Sequence, residues 1–225
     1  PSWKGVIKML KGVIFDMDGL MIDTEKLLTR FWCEAANHYG YPMTKEHVLG
    51  IRSLAAKYAI PHLKGIFGED FDYYKVRGKR IELMNEFIRQ NGIEKKKGLD
   101  ELLDYLDSTG LKKAVATATD LQRTTLYLGS INIIDRFDKL ICGNMIENGK
   151  PAPDIYLVAA KELELDPSEC IALEDSPNGI RSAHAAGCKP VMIPDLSQPD
   201  EETKKLLYAC CDDLSNVIGV IQKLV

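Results

Sequence analysis

The stretch Gly12-Val13-Ile14-Phe15-Asp16-Met17-Asp18-Gly19 decides how this chain is read. Four successive residues without a polar side chain, ended by a turn, describe a short strand buried on both faces, as in a parallel sheet. Two carboxylates one residue apart then stop it, and a buried strand has little structural use for them. On this spacing Asp16 extends the strand, Asp18 falls on the following turn, and Gly19 lets the backbone bend tightly. Neighbouring carboxylates can divide the work of nucleophile and acid/base, provided a cation offsets their repulsion. Alone, the same residues also describe a strand ending in a capped turn.

Four further apolar runs follow at 113–117, 139–142, 170–174 and 190–193, with helical patterns between them. Residues 99–106 repeat Leu99, Leu102, Leu103 and Leu106, and residues 156–165 carry a similar stripe at Tyr156, Val158, Ala159 and Leu163. This βαβ alternation predicts an α/β fold, a Rossmann-like parallel sheet core with helices on both faces. Between the first and second strands the pattern turns purely helical. Residues 24–39 align Leu27, Leu28, Phe31, Trp32, Ala35, Ala36 and Tyr39, and residues 71–88 offer Tyr74, Ile81, Met84, Phe87 and Ile88. The expected organisation is a helical cap domain over 24–95, inserted into a core domain formed by 9–23 and 96–225. Asn91-Gly92 and Lys95-Lys96-Lys97 mark an exposed connection between them.

In an open parallel sheet, ligands bind beyond the carboxyl ends of the strands, so the strand ends are where chemistry is sought. The fourth run stops at Glu174-Asp175-Ser176-Pro177. Ser176 can cap a helix with Pro177 at its first position, which leaves the two acids unexplained. Carboxylates at two strand ends imply a hard cation, and Mg²⁺ suits oxygen ligands; no His or Cys cluster competes for the role. The second run ends in Thr117-Ala118-Thr119, where a hydroxyl and backbone N–H groups at a helix start suit a phosphate oxygen. Lys150, before the Pro-rich helix entry Pro151-Ala152-Pro153-Asp154, is a fixed cation for a phosphoryl group or, taken alone, an exposed loop lysine. Arg52, in the segment Leu49-Gly50-Ile51-Arg52-Ser53, is a candidate substrate contact or an ordinary surface arginine.

Bulk properties narrow the classes. A chain of 225 residues that is 45% hydrophobic can bury one full core and still supply a smaller unit. Its net charge of −4 comes from acids and bases scattered among one another, which argues against nucleic acid as a partner. No stretch approaches the roughly 20 apolar residues of a membrane span, and the start lacks a secretory leader, so a cytoplasmic monomer is expected. Met9 is a candidate natural start, which would make residues 1–8 a leader or vector-derived remnant. The six cysteines contain no CxxC pair and read mostly as buried thiols, with Cys210 and Cys211 two small apolar residues on a late helix.

Together, Asp16-Met17-Asp18-Gly19-Leu20 with Asp23-Thr24-Glu25, then Thr117, Lys150 in Gly149-Lys150-Pro151, and Glu174-Asp175-Ser176 resemble the four ordered motifs of the haloacid dehalogenase superfamily. The resemblance runs from about Lys11 to Ile193 and points to the branch of β-phosphoglucomutases and sugar-phosphate phosphatases. It implies that Asp16 attacks phosphorus to form an aspartyl-phosphate, with Asp18 as general acid and base. It implies that Thr117, Lys150 and the backbone N–H groups of Met17, Asp18 and Ala118 hold the transferring oxygens. Mg²⁺ would be bound by Asp16, the Asp18 carbonyl, Asp175 and Glu174. The implied substrate is a small phosphorylated metabolite such as a sugar phosphate, enclosed by the cap.

Asp18 separates this chain from the dehalogenating members, which resemble it in their nucleophile but lack the second Asp. Two departures weigh against the mutases. Leu28 stands where they carry a histidine, and Asp120-Leu121 stands where they carry a substrate-binding lysine and asparagine. The expectation is a Mg²⁺-dependent phosphatase. A mutase with a bisphosphate intermediate, and a non-enzymatic receiver-like phospho-switch phosphorylated at Asp16, are the alternatives.

Overall fold

A computed structural model describes residues 9–52 and 54–225. The segment 1–8 and Ser53, both read above from sequence, lie outside the described residues.

Six parallel strands form one sheet: β1 Gly12–Phe15, β2 Lys112–Thr117, β3 Lys139–Cys142, β4 Cys170–Glu174, β5 Lys189–Met192 and β6 Ala209–Cys210, in the order β3-β2-β1-β4-β5-β6. Alternation along β1 feeds two separate layers. Val13 and Phe15 pack on one face with Leu99, Leu102, Leu103 and Leu106 of helix α5 (Leu99–Thr109). Ile14 packs on the other with Tyr156, Ala159 and Ala160 of α7 (Asp154–Glu162) and Ala183 of α8 (Pro177–Ala186). Both faces are therefore covered, as the continuous apolar strands demand.

Strand order reverses beside β1. The chain builds β2 and β3 outward on one side, then crosses to place β4, β5 and β6 on the other. That switch point opens a crevice at the carboxyl ends of β1, β2 and β4, where Asp16, Thr117 and Glu174 stand.

Between β1 and α5 the chain inserts four helices: α1 Glu25–His38, α2 Lys45–Gly50, α3 Ala56–Phe67 and α4 Tyr73–Asn91. They enclose a core of their own, with Trp32, Ala35, Ala36, Val48, Leu63, Phe71 and Val76 buried together. The long helices α1 and α4 also reach the main core through Leu27, Phe31, Met84 and Ile88. The remaining helices are α6 Leu121–Ser130, α9 Glu201–Leu206 and α10 Val217–Ile221.

One sequence expectation needs correction. The Cys210-Cys211 pair belongs to no helix: Cys210 closes the two-residue edge strand β6 and is exposed, while Cys211 is buried beyond it. A two-residue strand has no apolar run to announce it. All six cysteines are free, and four of them, Cys142, Cys170, Cys188 and Cys211, are buried. Among the described residues, no helix is long and apolar enough to cross a membrane.

Leu103 is completely buried between α5 and the sheet. Leu103→Ala is expected to cost about 2–5 kcal/mol of stability, read as a lower denaturant midpoint, because the removed methyl groups leave a cavity that the surrounding layer fills only in part.

Candidate active site

Asp16 sits one residue beyond β1, only 4% exposed, and its backbone N–H donates to the Leu173 carbonyl of β4. The ladder thus continues through Asp16 and fixes its side chain at the crevice floor. Lys150 Nζ lies 2.5 Å from Asp16 Oδ1, 2.7 Å from Glu174 Oε1 and 3.0 Å from the Ala116 carbonyl. At 1% exposure this ammonium is a fully buried cation, not the loop lysine its sequence context allowed. Although burial disfavours its charge, Asp16 and Glu174 outweigh that and raise its pKa, so it stays charged.

Glu174 ends β4 fully buried; the Tyr156 hydroxyl donates to its Oε1 at 2.5 Å. Its carboxylate folds back over the first turn of α8, where Ser176 caps the helix by accepting from the Gly179 N–H at 3.2 Å and Pro177 takes the first position. A Cβ at Gly179 would stand inside the Glu174 carboxylate, so only glycine leaves room there. Gly19, at φ +82°, plays the same part beside Asp175 and Glu25, where a side chain would meet both.

Oxygen ligands of Asp16, Glu174 and Asp175 lie within 4.8 Å of one another, all three residues buried. Asp175 Oδ1 and Glu174 Oε2 have no hydrogen-bond partner, although each is shielded from solvent. Buried carboxylate oxygens without partners are costly. A hard divalent cation held by oxygen ligands fits this arrangement: it supplies the missing partner to both oxygens and the missing charge to the cluster.

The electrostatics point the same way. Asp16 is held well above the usual carboxylate range, first by burial, against the pull of Lys150 and with a further push from Glu174 and Asp175. Asp175 is raised likewise, burial outweighing its contact with Arg52. Arg52, whose Nη2 bonds Asp175 Oδ2, also lies 3.2 Å from Glu25 Oε2. Buried at 6% exposure, Arg52 belongs to this charge cluster, not to the open surface. Burial and the nearby acids, offset in part by Arg52, push Glu25 up to about 8.

Asp18 stands apart from the cluster. Its Oδ1 accepts from Thr24 Oγ1 at 2.5 Å and its Oδ2 from Thr119 Oγ1 at 2.7 Å, which fixes the carboxylate between the helical insert and the end of β2. Thr117 is buried, its hydroxyl accepting from the Thr119 N–H at 3.1 Å. Asp16, Asp18, Thr117, Ala118, Lys150 and Arg52 all line a single cavity of about 600 Å³. Met17 is buried beneath it, its carbonyl accepting the turn N–H groups of Leu20 and Met21.

Sequence reasoning did not single out Tyr156, Thr119 or Arg80. Tyr156 was indistinguishable from core on its helix stripe, yet its hydroxyl is spent on Glu174. The pair Thr117 and Thr119 carried the signal for Thr119, since residues two apart on an extended segment face the same way.

The sequence signature described as haloacid dehalogenase-like hydrolase matches residues 13–193. A Thermotoga maritima protein named "Phosphorylated carbohydrates phosphatase" is 29% identical over 186 residues, covering 81% of this chain and 84% of that one. A Drosophila melanogaster protein named "Probable pseudouridine-5'-phosphatase" is 32% identical over 208 residues, 88% of this chain and 87% of its own. The crystal structure of CbbY from Rhodobacter sphaeroides in complex with phosphate superposes with a TM-score of 0.79 at 25% identity, over 93% of this chain and 96% of that one.

The acidic excess has a pH signature. Glu25 titrates at about 8 in the folded chain against an ordinary 4.5, so between those values the folded state holds a proton that the unfolded state has released. The stability this contributes is complete below the unfolded value and is lost as pH rises through the folded one; Asp16 and Asp175 act in the same direction. Metal-free protein is therefore expected to lose stability steadily from about pH 5 to pH 8, and Glu25→Gln to flatten that decline, as measured by urea midpoints in chelator.

Proposed function

The chain belongs to the haloacid dehalogenase-like hydrolase family and is a hydrolase of the phosphatase kind, and from that premise we propose that it cleaves phosphate from a small phosphorylated sugar or similar metabolite, using Asp16 as a covalent nucleophile. The observation that carries this reading is Lys150 Nζ, 2.5 Å from Asp16 Oδ1 in a buried site with three convergent carboxylates. A lysine so placed pulls against the burial that raises the Asp16 pKa and offers positive charge to a phosphoryl group docking against it.

In the first step an Asp16 carboxylate oxygen attacks phosphorus in line and the ester P–O bond breaks, with Asp18 giving its proton to the departing oxygen. In the second, Asp18, now a carboxylate, takes a proton from water as that water attacks the phosphorus of the aspartyl-phosphate; inorganic phosphate leaves and Asp16 is restored. The hydroxyls of Thr24 and Thr119 against Asp18 hold it in position for both transfers. Thr117 and the N–H groups of Met17, Asp18 and Ala118 position the transferring oxygens, a role that dominates phosphoryl-transfer catalysis. Asp16, Glu174 and Asp175, with the Asp18 carbonyl, would hold Mg²⁺. When bound it supplies charge that offsets both the carboxylates and the phosphoryl oxygens.

The insert lines the cavity with Leu28, Trp32, Tyr73 and Tyr74, an enclosure suited to small substrates. Leu28, at the position of the mutases' histidine, brings an aliphatic side chain to that wall, which supports hydrolysis over phosphoryl return to a sugar.

Release of phosphate from p-nitrophenyl phosphate is expected to require Mg²⁺ and to vanish in Asp16→Asn. In Asp18→Asn, turnover should fall roughly 10²–10⁴-fold, the usual worth of a positioned acid/base. Full activity in folded Asp16→Asn removes the proposed nucleophile.

A further inference from the structure

Among the described residues, every other buried cation bonds an oxygen. Lys150 has Asp16 and Glu174, Arg52 has Asp175 and Glu25, Lys113 has Asp107, and Lys189 has the Ser168 carbonyl. Arg80 does not. It is 4% exposed, its Nε has no hydrogen-bond partner, and the polar contact of its Nη1 is the Met84 sulfur at 3.8 Å. Its guanidinium lies 5.3 Å from the Trp32 ring centroid. Among the described residues no carboxylate comes within ion-pair distance of it.

Its neighbours make matters worse. Arg77, one turn earlier on α4, and Arg123, on α6, surround Arg80 with like charge. Burial first, then Arg123 and Arg77, pull Arg80 down to about 10. Arg123 is answered by Asp120 at 2.8 Å, which leaves two of the three guanidinium charges without a carboxylate among the described residues. A concentration of positive charge in a water-poor wall is unfavourable in the free protein, unless an anion arrives from outside.

All three arginines line the same cavity as Asp16 and Asp18, on the side formed by the insert and α6. The groups that act most on Arg80 are Arg123, Arg77, Tyr127 and Tyr73, none of them from the phosphoryl site. Among the described residues, no ion pair joins these arginines to Asp16, Glu174 or Asp175, whose partners lie elsewhere, and they line one cavity of about 600 Å³ with Asp16 and Lys150, within one small ligand's reach.

We propose that Arg77, Arg80 and Arg123 form a second anion site, which binds a carboxylate or a second phosphate on the substrate, remote from the ester that is cleaved. The preferred substrates are then small phosphorylated compounds bearing a second negative group. This rests on the phosphatase reading above and deepens it by naming the substrate class. Guanidinium groups bind both kinds of oxyanion through paired N–H donors, so the shared chemistry is the oxyanion itself.

The test compares kcat/KM for glucose 6-phosphate, 6-phosphogluconate and glucose 1,6-bisphosphate, with p-nitrophenyl phosphate as the check on the chemistry. Wild type is expected to favour one or both compounds with a second anion over glucose 6-phosphate by roughly ten-fold or more, and the favoured one tells carboxylate from phosphate. That preference should collapse towards unity in Arg80→Met, mainly through KM, and return in part in Arg80→Lys. Calorimetry with Asp16→Asn protein should show the same order of affinities without turnover.

No preference in wild type, or an unchanged preference in folded Arg80→Met, overturns the proposal and assigns Arg80 to packing against Trp32. Should Arg80→Met fail to unfold cooperatively, half-buried Arg77→Met serves instead, with the same two outcomes. Loss of the phosphatase reading looks different: Asp16-dependent release from p-nitrophenyl phosphate is then absent, while the binding preference in calorimetry still decides the anion site.

Discussion

Four acidic side chains, Asp16, Glu25, Glu174 and Asp175, share a water-excluded pocket with two basic ones, Lys150 and Arg52. Burying one unpaired carboxylate is expensive, and here four compete for two cations. The free protein manages this imbalance by holding protons on groups that would be ionised in water, as the upward shifts of Asp16, Glu25 and Asp175 record. A site built this way is incomplete by charge. Its oxygen ligands and its charge deficit fit a divalent cation.

The fold exists in this form because a parallel sheet with a switch point delivers side chains from separate strands to one place. β1 and β4 are adjacent, and the N–H of Asp16 bonds the carbonyl of Leu173 just before Glu174. Register alone therefore sets Asp16 beside Glu174 and Asp175. Two glycines keep the approach open: Gly179 under Glu174 and Gly19 beside Asp175. The helical insert then closes the cavity and adds groups of its own. Thr24 holds Asp18, Glu25 and Arg52 join the charge cluster, and the arginines of α4 set the character of the far wall.

Much of this was legible in the sequence because buried parallel strands are apolar without interruption, so an acid at their end stands out. Five strands and the long helices α1 and α4 could be read within a few residues. The edge strand β6 could not, for it is two residues long and its cysteines are neutral between helix and strand. Helices α2 and α3 are short or broken in pattern, α3 by Pro61 within it, and their apolar residues serve the insert's small core. Arg80 was hidden for a different reason. In the run Lys75 to Arg80 alternate basic residues look like a solvated face, and only three-dimensional packing reveals that one of them is buried without an acid. Arg52 was open between substrate contact and surface; its burial against Asp175 and Glu25 is a long-range pairing that no local pattern encodes.

The central claim is that the carboxylate cluster is short of positive charge and takes one divalent cation to correct it. The most direct test is calorimetric titration of chelator-treated protein with Mg²⁺, repeated in two buffers of different ionisation enthalpy to count protons. The account predicts one saturable site per chain, release of protons as the cation enters because carboxyl groups with raised pKa values give them up, and loss of that site in Asp175→Asn. A titration without saturable binding, or binding that releases no proton and survives in Asp175→Asn, would contradict it.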